Sequence, residues 1–308
     1  MKILQFIITI AVLCSALLFV IPSEIFLIDL LQSFALQAMI GYAIIAFVLI
    51  LWKQHKFSVP FVLASLTILV YLLPYINLTT TQDYEFEGNS FRVAHYNVLG
   101  SNILYDQTIQ QAIATEADLL SFQEVDSTWM NHLIYGLKAE YPYFQMASSP
   151  VHGVAVFSKY PVKDFTTYFW GQEPSLTGNI MLPDTTVHFV ATHTLSPRSE
   201  ERYAERNQHL KHMAHYLKSI NGPVLAIGDF NAVPWNPYIV QMRRQSNLLD
   251  SRKGLTPTYP ADWNVGGIPI DYILHSNELR CLGFQSVDMA GSDHKGVLGE
   301  YQLAVNAM

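Results

Sequence analysis

Val224-Leu-Ala-Ile-Gly228-Asp229-Phe230-Asn231-Ala232 is an unbroken apolar run that stops on a glycine and then presents two polar side chains. Four apolar residues closed by a turn signal read as a buried strand, and the polar pair falls at its end. Loops held by a rigid sheet are where an α/β scaffold displays its chemistry. The same punctuation recurs along the chain. Phe91-Arg-Val-Ala-His-Tyr-Asn97-Val-Leu99 contains Asn97 near its end, and Asp118-Leu-Leu-Ser-Phe-Gln-Glu124-Val125 contains Glu124. The strand at 186–192 runs into His193, Asp271 opens Ile270-Asp-Tyr-Ile-Leu274, and Ser292-Asp293-His294 precedes the final strand.

Helices separate these strands. Residues 105–117 and 127–139 read as helices, and 236–245 as a short one. Residues 199–219 read as a polar helix with apolar positions near Leu210, Met213 and Leu217. Further strands are expected at 153–158, 165–170, 177–182, 281–288 and 297–303. Many strands, some wholly apolar and some alternating, predict two packed sheets covered by helices. On the 199–219 helix, His209, His212 and His215 recur every third residue without a recurring acidic partner, which reads as a solvated face. Arg202 and Arg206 read as surface residues, with contact to a substrate phosphate as the alternative. Trp235 reads either as a structural aromatic or as a ring that packs on a lipid or base.

Half of the 308 residues are apolar and 14% are charged, with a mean hydropathy of +0.19. That excludes a disordered chain, and it departs from soluble enzymes, in which about one quarter of residues are charged. The excess lies at the N-terminus. Residues 1–79 carry Lys2, Lys53, Lys56, Glu24 and Asp29, leaving 15 basic and 23 acidic side chains, or −8, for the rest of a chain of formal charge −7. Runs 3–22, 34–52 and 58–78 hold no charge, and about 20 helical residues cross a hydrocarbon core roughly 30 Å thick. Three transmembrane helices are expected, with 23–33 lying flat as an amphipathic segment. Lys53 and Lys56 put the loop between the second and third runs inside, so residues after 79 are expected outside. The division predicted is a membrane anchor over 1–79, a linker over 80–89 and a catalytic domain over 90–308. Two cysteines, Cys14 and Cys281, exclude a disulfide framework and a four-cysteine zinc module.

Singly, each strand-end residue has a plain structural explanation. An aspartate caps a turn or helix, an asparagine is a turn residue, Glu124 can cap the next helix, and His193 can be a half-buried imidazole. In this order they are more specific. Tyr96-Asn-Val98, Phe122-Gln-Glu-Val125, Gly153-Val-Ala-Val-Phe-Ser158, Ala191-Thr-His193, Gly228-Asp-Phe-Asn-Ala232, Ile270-Asp-Tyr-Ile273 and Ser292-Asp-His294 follow one another through residues 90–304. This series resembles the endonuclease/exonuclease/phosphatase superfamily, which contains deoxyribonuclease I, exonuclease III, neutral sphingomyelinases and inositol polyphosphate 5-phosphatases. The hydrophobic runs lie outside the common pattern and resemble the membrane-anchored bacterial type, which implies the bacterial inner, or plasma, membrane.

The resemblance implies a four-layer α/β sandwich with its site at one end of two paired sheets. It implies that Glu124 is the principal ligand of Mg²⁺ (or Mn²⁺) with Asn97 beside it, while Asp293 holds a second metal or supports the first. Asp229 would orient and deprotonate the attacking water, Asn231 would hold that water or a phosphoryl oxygen, and His193 would donate to the phosphate. Asp271 would fix and charge His294. Gly-x-Ser-x-Gly and a Walker loop are both absent from the sequence.

Substrate class is read from charge. Nucleic-acid enzymes take affinity from phosphate contacts on a basic face, whereas residues 80–308 carry −8 and no basic run longer than Arg243-Arg244 or Arg252-Lys253. The expected activity is a membrane-associated phosphatase or phosphodiesterase acting on a lipid-linked or extracytoplasmic phosphoester. An extracytoplasmic nuclease and an inactive binding module are the alternatives.

Overall fold

The computed structural model describes residues 2–77, 89–149, 152–263 and 266–303. The chain divides into two compact units, one formed by Met1–Asn77 with Val233–Pro237, the other by the remainder.

The first unit is helical: α1 (Lys2–Val20), α2 (Phe26–Gln32), α3 (Ala35–Leu51) and α4 (His55–Leu72), which continues as a 3-10 turn to Tyr75. Among the described residues, two helices, Lys2–Val20 and His55–Tyr75, are long and apolar enough to cross a membrane. The number is three if α2 and α3, which meet at 62°, form one bent span. The charge-free run at 34–52 is thus a helix entered through a bend, where the Ser33 N–H and hydroxyl both turn back to the Asp29 carbonyl at 3.2 and 3.3 Å. Run length alone does not reveal such a break. Small residues let the helices close, with Val12, Ala16 and Ala64 buried together and Ser15 Oγ 2.7 Å from Tyr42 Oη. Trp235 is structural, since its indole is buried and donates to the Gln32 carbonyl at 2.7 Å. The end of the third run and most of the expected linker, 80–89, lie outside the described residues.

The second unit runs β1 (Phe91–Asn97), α5 (Tyr105–Ala114), β2 (Leu119–Gln123), α6 (Ser127–Leu137), β3 (Tyr143–Ser148), β4 (Gly153–Ser158), β5 (Val162–Phe169), β6 (Pro174–Met181) and β7 (Thr186–Thr192). It continues through α7 (Glu200–Lys218), β8 (Val224–Asp229), α8 (Pro237–Ser246), β9 (Leu249–Asp250), β10 (Asp271–His275), β11 (Leu279–Val287) and β12 (Gly296–Leu303). One six-stranded sheet has the order β11-β12-β1-β2-β4-β3 and the other β5-β6-β7-β8-β10-β9. Both are mixed: β1–β2 and β7–β8 are parallel, and their neighbours antiparallel. Val93, Leu119, Val156, Leu176, Phe189, Leu225, Ile227 and Ile273, drawn from both sheets, form the core between them. On the opposite face of the first sheet, Tyr96, Leu120, Phe122 and Phe157 pack with Ile109 of α5 and with Trp129 and Leu133 of α6. Helix α7 covers the second sheet, where Tyr216 lies 4.9 Å from the Tyr168 ring. This is the expected sandwich of two sheets flanked by helices. Strand β3 is the one substantial strand that sequence reading omits, because its edge alternates between exposed and half-buried residues.

Candidate active site

Period-two alternation explains why the polar residues meet. Val93, His95 and Asn97 point to one face of β1, as do Leu119, Ser121 and Gln123 on β2, Leu225, Ile227 and Asp229 on β8, and Asp271 and Ile273 on β10. The apolar members of each series belong to the inter-sheet core, so this shared face turns polar toward one end of the sandwich. Strand register brings the ends level, with Asn97 opposite Gln123 and Asp229 opposite Asp271.

There the Asn97 amide crosses between the sheets. Its Nδ2 donates to Glu124 Oε1 at 3.0 Å and to Asp229 Oδ2 at 3.1 Å. The Gly100 N–H donates to Glu124 Oε2 at 3.2 Å. The Asn231 N–H donates to Asp229 Oδ1 at 2.8 Å, while its side-chain Nδ2 donates to the Thr194 carbonyl at 2.9 Å and lies 3.3 Å from His193 Nε2. Asp271 bridges two imidazoles, with Oδ2 2.9 Å from His294 Nδ1 and Oδ1 3.0 Å from His95 Nε2. Leu99, Glu124 and Asn231 all adopt positive φ, at +58°, +61° and +47°. Each such residue costs about 1–3 kcal/mol, and such strain concentrates at functional sites. Gly228, at φ +151°, is required for a second reason: a β carbon there would strike the Thr192 carbonyl and the Gln123 amide.

A model of the Endonuclease/Exonuclease/phosphatase family matches residues 94–294. The chain belongs to that family. Known structures share its fold. One from Bacteroides thetaiotaomicron, described as a protein of this family, has a TM-score of 0.60 and 16% identity over 72% of this chain and 98% of its own. D. rerio TDP2 complexed with a single-strand DNA product scores 0.59 at 12% identity, covering 70% and 100%. Sphingomyelinase C from Streptomyces griseocarneus scores 0.52 at 19%, covering 69% and 99%. No curated protein sequence matches significantly.

The electrostatics of this family member divide its buried groups sharply. Burial pushes the Asp229 carboxyl up to about 8, and the neighbouring Asp271 charge adds to that. Burial also opposes ionisation of Asp271, but the His294 and His95 contacts outweigh it and hold Asp271 well below the usual carboxylate range. Against burial, Asp271 and Asp229 raise His294 to about 10. Burial lowers His193 to about 4 despite the pull of Glu124 and Glu173. Glu124 lies below its ordinary value because His193, the Asn97 amide, the Gly100 N–H and His152 together overcome burial.

Enzymes of this family generally use divalent metals, and the donor set here suits one. Hard cations take oxygen ligands. Glu124 remains 17% exposed at its side chain, and the Asn97 amide joins it to Asp229. Among the described residues, Asp229, Asp271 and His294 bring ligand atoms within 4.8 Å of one another. Both Asp271 oxygens are taken by imidazoles, however, which suits an orienting role better than a ligand role.

Seven of the eight residues singled out from the sequence stand at this end: Asn97, Glu124, His193, Asp229, Asn231, Asp271 and His294. The eighth, Asp293, is exposed, and no hydrogen bond or ion pair joins its side chain to Glu124, Asn97 or Asp229 among the described residues. Two readings of α7 are corrected. Arg206 is buried, not a surface residue, and its Nη1 donates to the Asn231 carbonyl at 3.0 Å. His209 is buried too, 3.0 Å from Ser175 Oγ and 2.8 Å from Thr192 Oγ1, and burial pushes its imidazole down to about 3. His212 and His215 are exposed as expected. Sequence reasoning missed His95 and Gln123. The signal was available, since each lies on the inter-sheet face of its strand, two residues from Asn97 and one from Glu124.

Proposed function

We propose that the protein is a membrane-anchored, Mg²⁺- or Mn²⁺-dependent phosphoester hydrolase whose residues 90–308 act on a lipid-linked or extracytoplasmic phosphoester. The observation that carries this reading is the hydrogen-bonded convergence of Asn97, Glu124, Asp229, Asn231, Asp271 and His294 at one end of the sandwich. Glu124 and Asn97 would hold the metal, with Asp293 as outer support. The bound cation would supply charge to offset that developing on the phosphoryl oxygens.

Asp229 takes the proton of the attacking water, and a carboxyl pushed up to about 8 suits a base working near neutrality. Asn231, fixed by Thr194 and by Arg206, steadies that water or a phosphoryl oxygen. The His193 Nε2 lies 3.3 Å from the Asn231 amide and 3.6 Å from Asp229 Oδ2, and this is the ring edge that would donate to the phosphate. His294, held charged by Asp271, donates to an oxygen that gains charge as the P–O bond to the leaving group breaks.

The −8 charge of residues 80–308 repels polyanions. A covalent anchor raises the effective concentration of membrane-borne substrate without any new contact. A nuclease is the second reading, favoured by the likeness to a structure solved with a DNA product. The test is a panel on full-length protein in detergent and in vesicles, with Mg²⁺ or with chelator. It contains an aryl phosphodiester, an aryl phosphomonoester, a lipid diphosphate, sphingomyelin and plasmid DNA. Metal-dependent turnover of a membrane phosphoester is expected, with slow plasmid cleavage that falls further with salt. Efficient nicking at physiological salt without lipid turnover would promote the nuclease. Topology is tested separately: a C-terminal alkaline phosphatase fusion is expected to be active, and an inactive one puts residues 90–308 in the cytoplasm.

A further inference from the structure

A third imidazole, unused in the mechanism above, stands beside Glu124. His152 lies one residue before β4, and its backbone is locked to Ser149. The His152 N–H donates to Ser149 Oγ at 3.1 Å, and the His152 carbonyl accepts from both the Ser149 N–H and hydroxyl at 2.9 Å. The ring sits between two carboxylates, with Nε2 3.7 Å from Glu124 Oε2 and Nδ1 3.5 Å from Glu173 Oε1. Glu173 comes from the other sheet, one residue before β6, and is 1% exposed. Its Oε2 accepts from Ser149 Oγ at 3.1 Å, whereas Oε1 has no hydrogen-bond partner among the described residues. Such deep burial of a half-satisfied carboxylate is costly. Its oxygen is aimed at His152, which makes orientation of that ring its evident use.

Two comparisons give the ring a task. Among the described residues, three groups touch Glu124 through hydrogen bonds or close charge contact: Asn97, Gly100 and His152. The first two donate to Glu124, whereas His152 Nε2, at 3.7 Å, stands beyond hydrogen-bond distance of it and can donate to another acceptor. His193 and His294 both approach Asp229, at 3.6 and 3.8 Å, with side chains 6% exposed. The His152 side chain is 26% exposed, and its ring centroid lies 5.5 Å from that of His193. A phosphoryl group that meets His193 therefore has His152 within reach on its Glu124 side.

We propose that His152, oriented by Glu173, contacts the substrate and donates to a phosphoryl oxygen on the Glu124 side of the site. Glu173 is a positioning residue, since it acts through the ring. The proposal rests on the phosphoester reading, and its test separates the two. Binding of inorganic phosphate to full-length protein in detergent is measured by calorimetry, alongside kcat and KM for bis(p-nitrophenyl) phosphate. His152→Ala is expected to weaken phosphate binding and kcat/KM by about 10- to 100-fold, as for loss of a hydrogen bond to a charged group. His152→Gln, which keeps a donor, should recover part of that, and its melting temperature serves as the folding control.

Glu173→Gln is expected to cost less than His152→Ala. Adding it to His152→Ala should cost nothing further, because residues acting as one unit are not additive. If no variant or wild-type protein hydrolyses the diester yet His152→Ala loses phosphate affinity, the contact stands and the hydrolase reading falls. If wild-type protein is active and His152→Ala matches it in turnover and phosphate affinity, the contact is overturned and the hydrolase stands. Losses that multiply in the double variant overturn the role of Glu173. Absence of both binding and turnover in the wild type overturns both readings.

Discussion

Two imidazoles approach the same oxygen of Asp229, His193 from the end of β7 and His294 from the segment before β12. They are equally buried, and burial pulls both toward the neutral form. Yet one is lowered to about 4 and the other raised to about 10. The difference lies at the far ring nitrogen. His294 Nδ1 is gripped by Asp271 at 2.9 Å, whereas His193 Nδ1 meets no hydrogen-bond partner among the described residues. Burial sets the default, and Asp271, seconded by Asp229, reverses it. The site thereby holds a charged imidazole and a neutral one, each less than 4 Å from a shared carboxyl.

Asp229→Asn should have the largest effect, because it removes the oxygen both rings share and the proposed base with it. A fall in kcat of about 10²- to 10⁴-fold is expected on any substrate the wild type hydrolyses, and steady-state rates that do not change would reject Asp229 as base. Asp271→Asn erases the asymmetry. His294 then loses the group that charges it and should behave more like His193. Near pH 8 a drop of roughly 10²-fold is expected, and in a buffer series the alkaline limb of the rate profile should move to lower pH. An alkaline limb that stays in place would show that Asp271 does not set the charge on His294.

The smallest effect is on stability. His294 is raised above its unfolded value of 6.5, so its contribution is complete below that pH and is lost as pH rises toward about 10. Melting temperature of the chelator-treated wild type should therefore decline between pH 7 and 10, and Asp271→Asn should flatten that part of the decline. Equal slopes in the two proteins would contradict the comparison.

What was legible in the sequence follows from what local pattern can encode. Apolar strands and the polar residues that stop them are local, so β4 and β7 were read to the residue, while it was the resemblance of the ordered blocks to a family that grouped seven candidate residues. Strand β3 was invisible because an exposed edge strand lacks the apolar run that marks its neighbours. Arg206 and His209 were misread because a helix with polar residues on most of its surface does not announce which face the sheet will cover. His95 escaped because a histidine inside a strand looks like any half-buried imidazole until Asp271, 176 residues later, arrives beside it. The break between α2 and α3 falls where the sequence already divides an amphipathic segment (23–33) from an uncharged run (34–52), but the 62° angle between them is set by packing and leaves no local signal.

Asn97 and Glu124 belong to one sheet, while Asp229 and Asp271 belong to the other, and the Asn97–Asp229 and His95–Asp271 bonds cross the gap. Gln123 spans it as well, taking the Asp229 N–H on its carbonyl at 2.8 Å and reaching the Thr192 carbonyl with its amide. The jaws of the site are thus the two sheets themselves, and their opening is set by Val156, Leu176, Phe189 and Ile227 packed between them. Close-packed interiors transmit small changes in volume. A methylene trimmed from that layer would cost about 0.5–1.5 kcal/mol and would alter the jaw setting while the chain still folded. The sandwich works as a caliper, and its reading is taken where Asn97 meets Asp229.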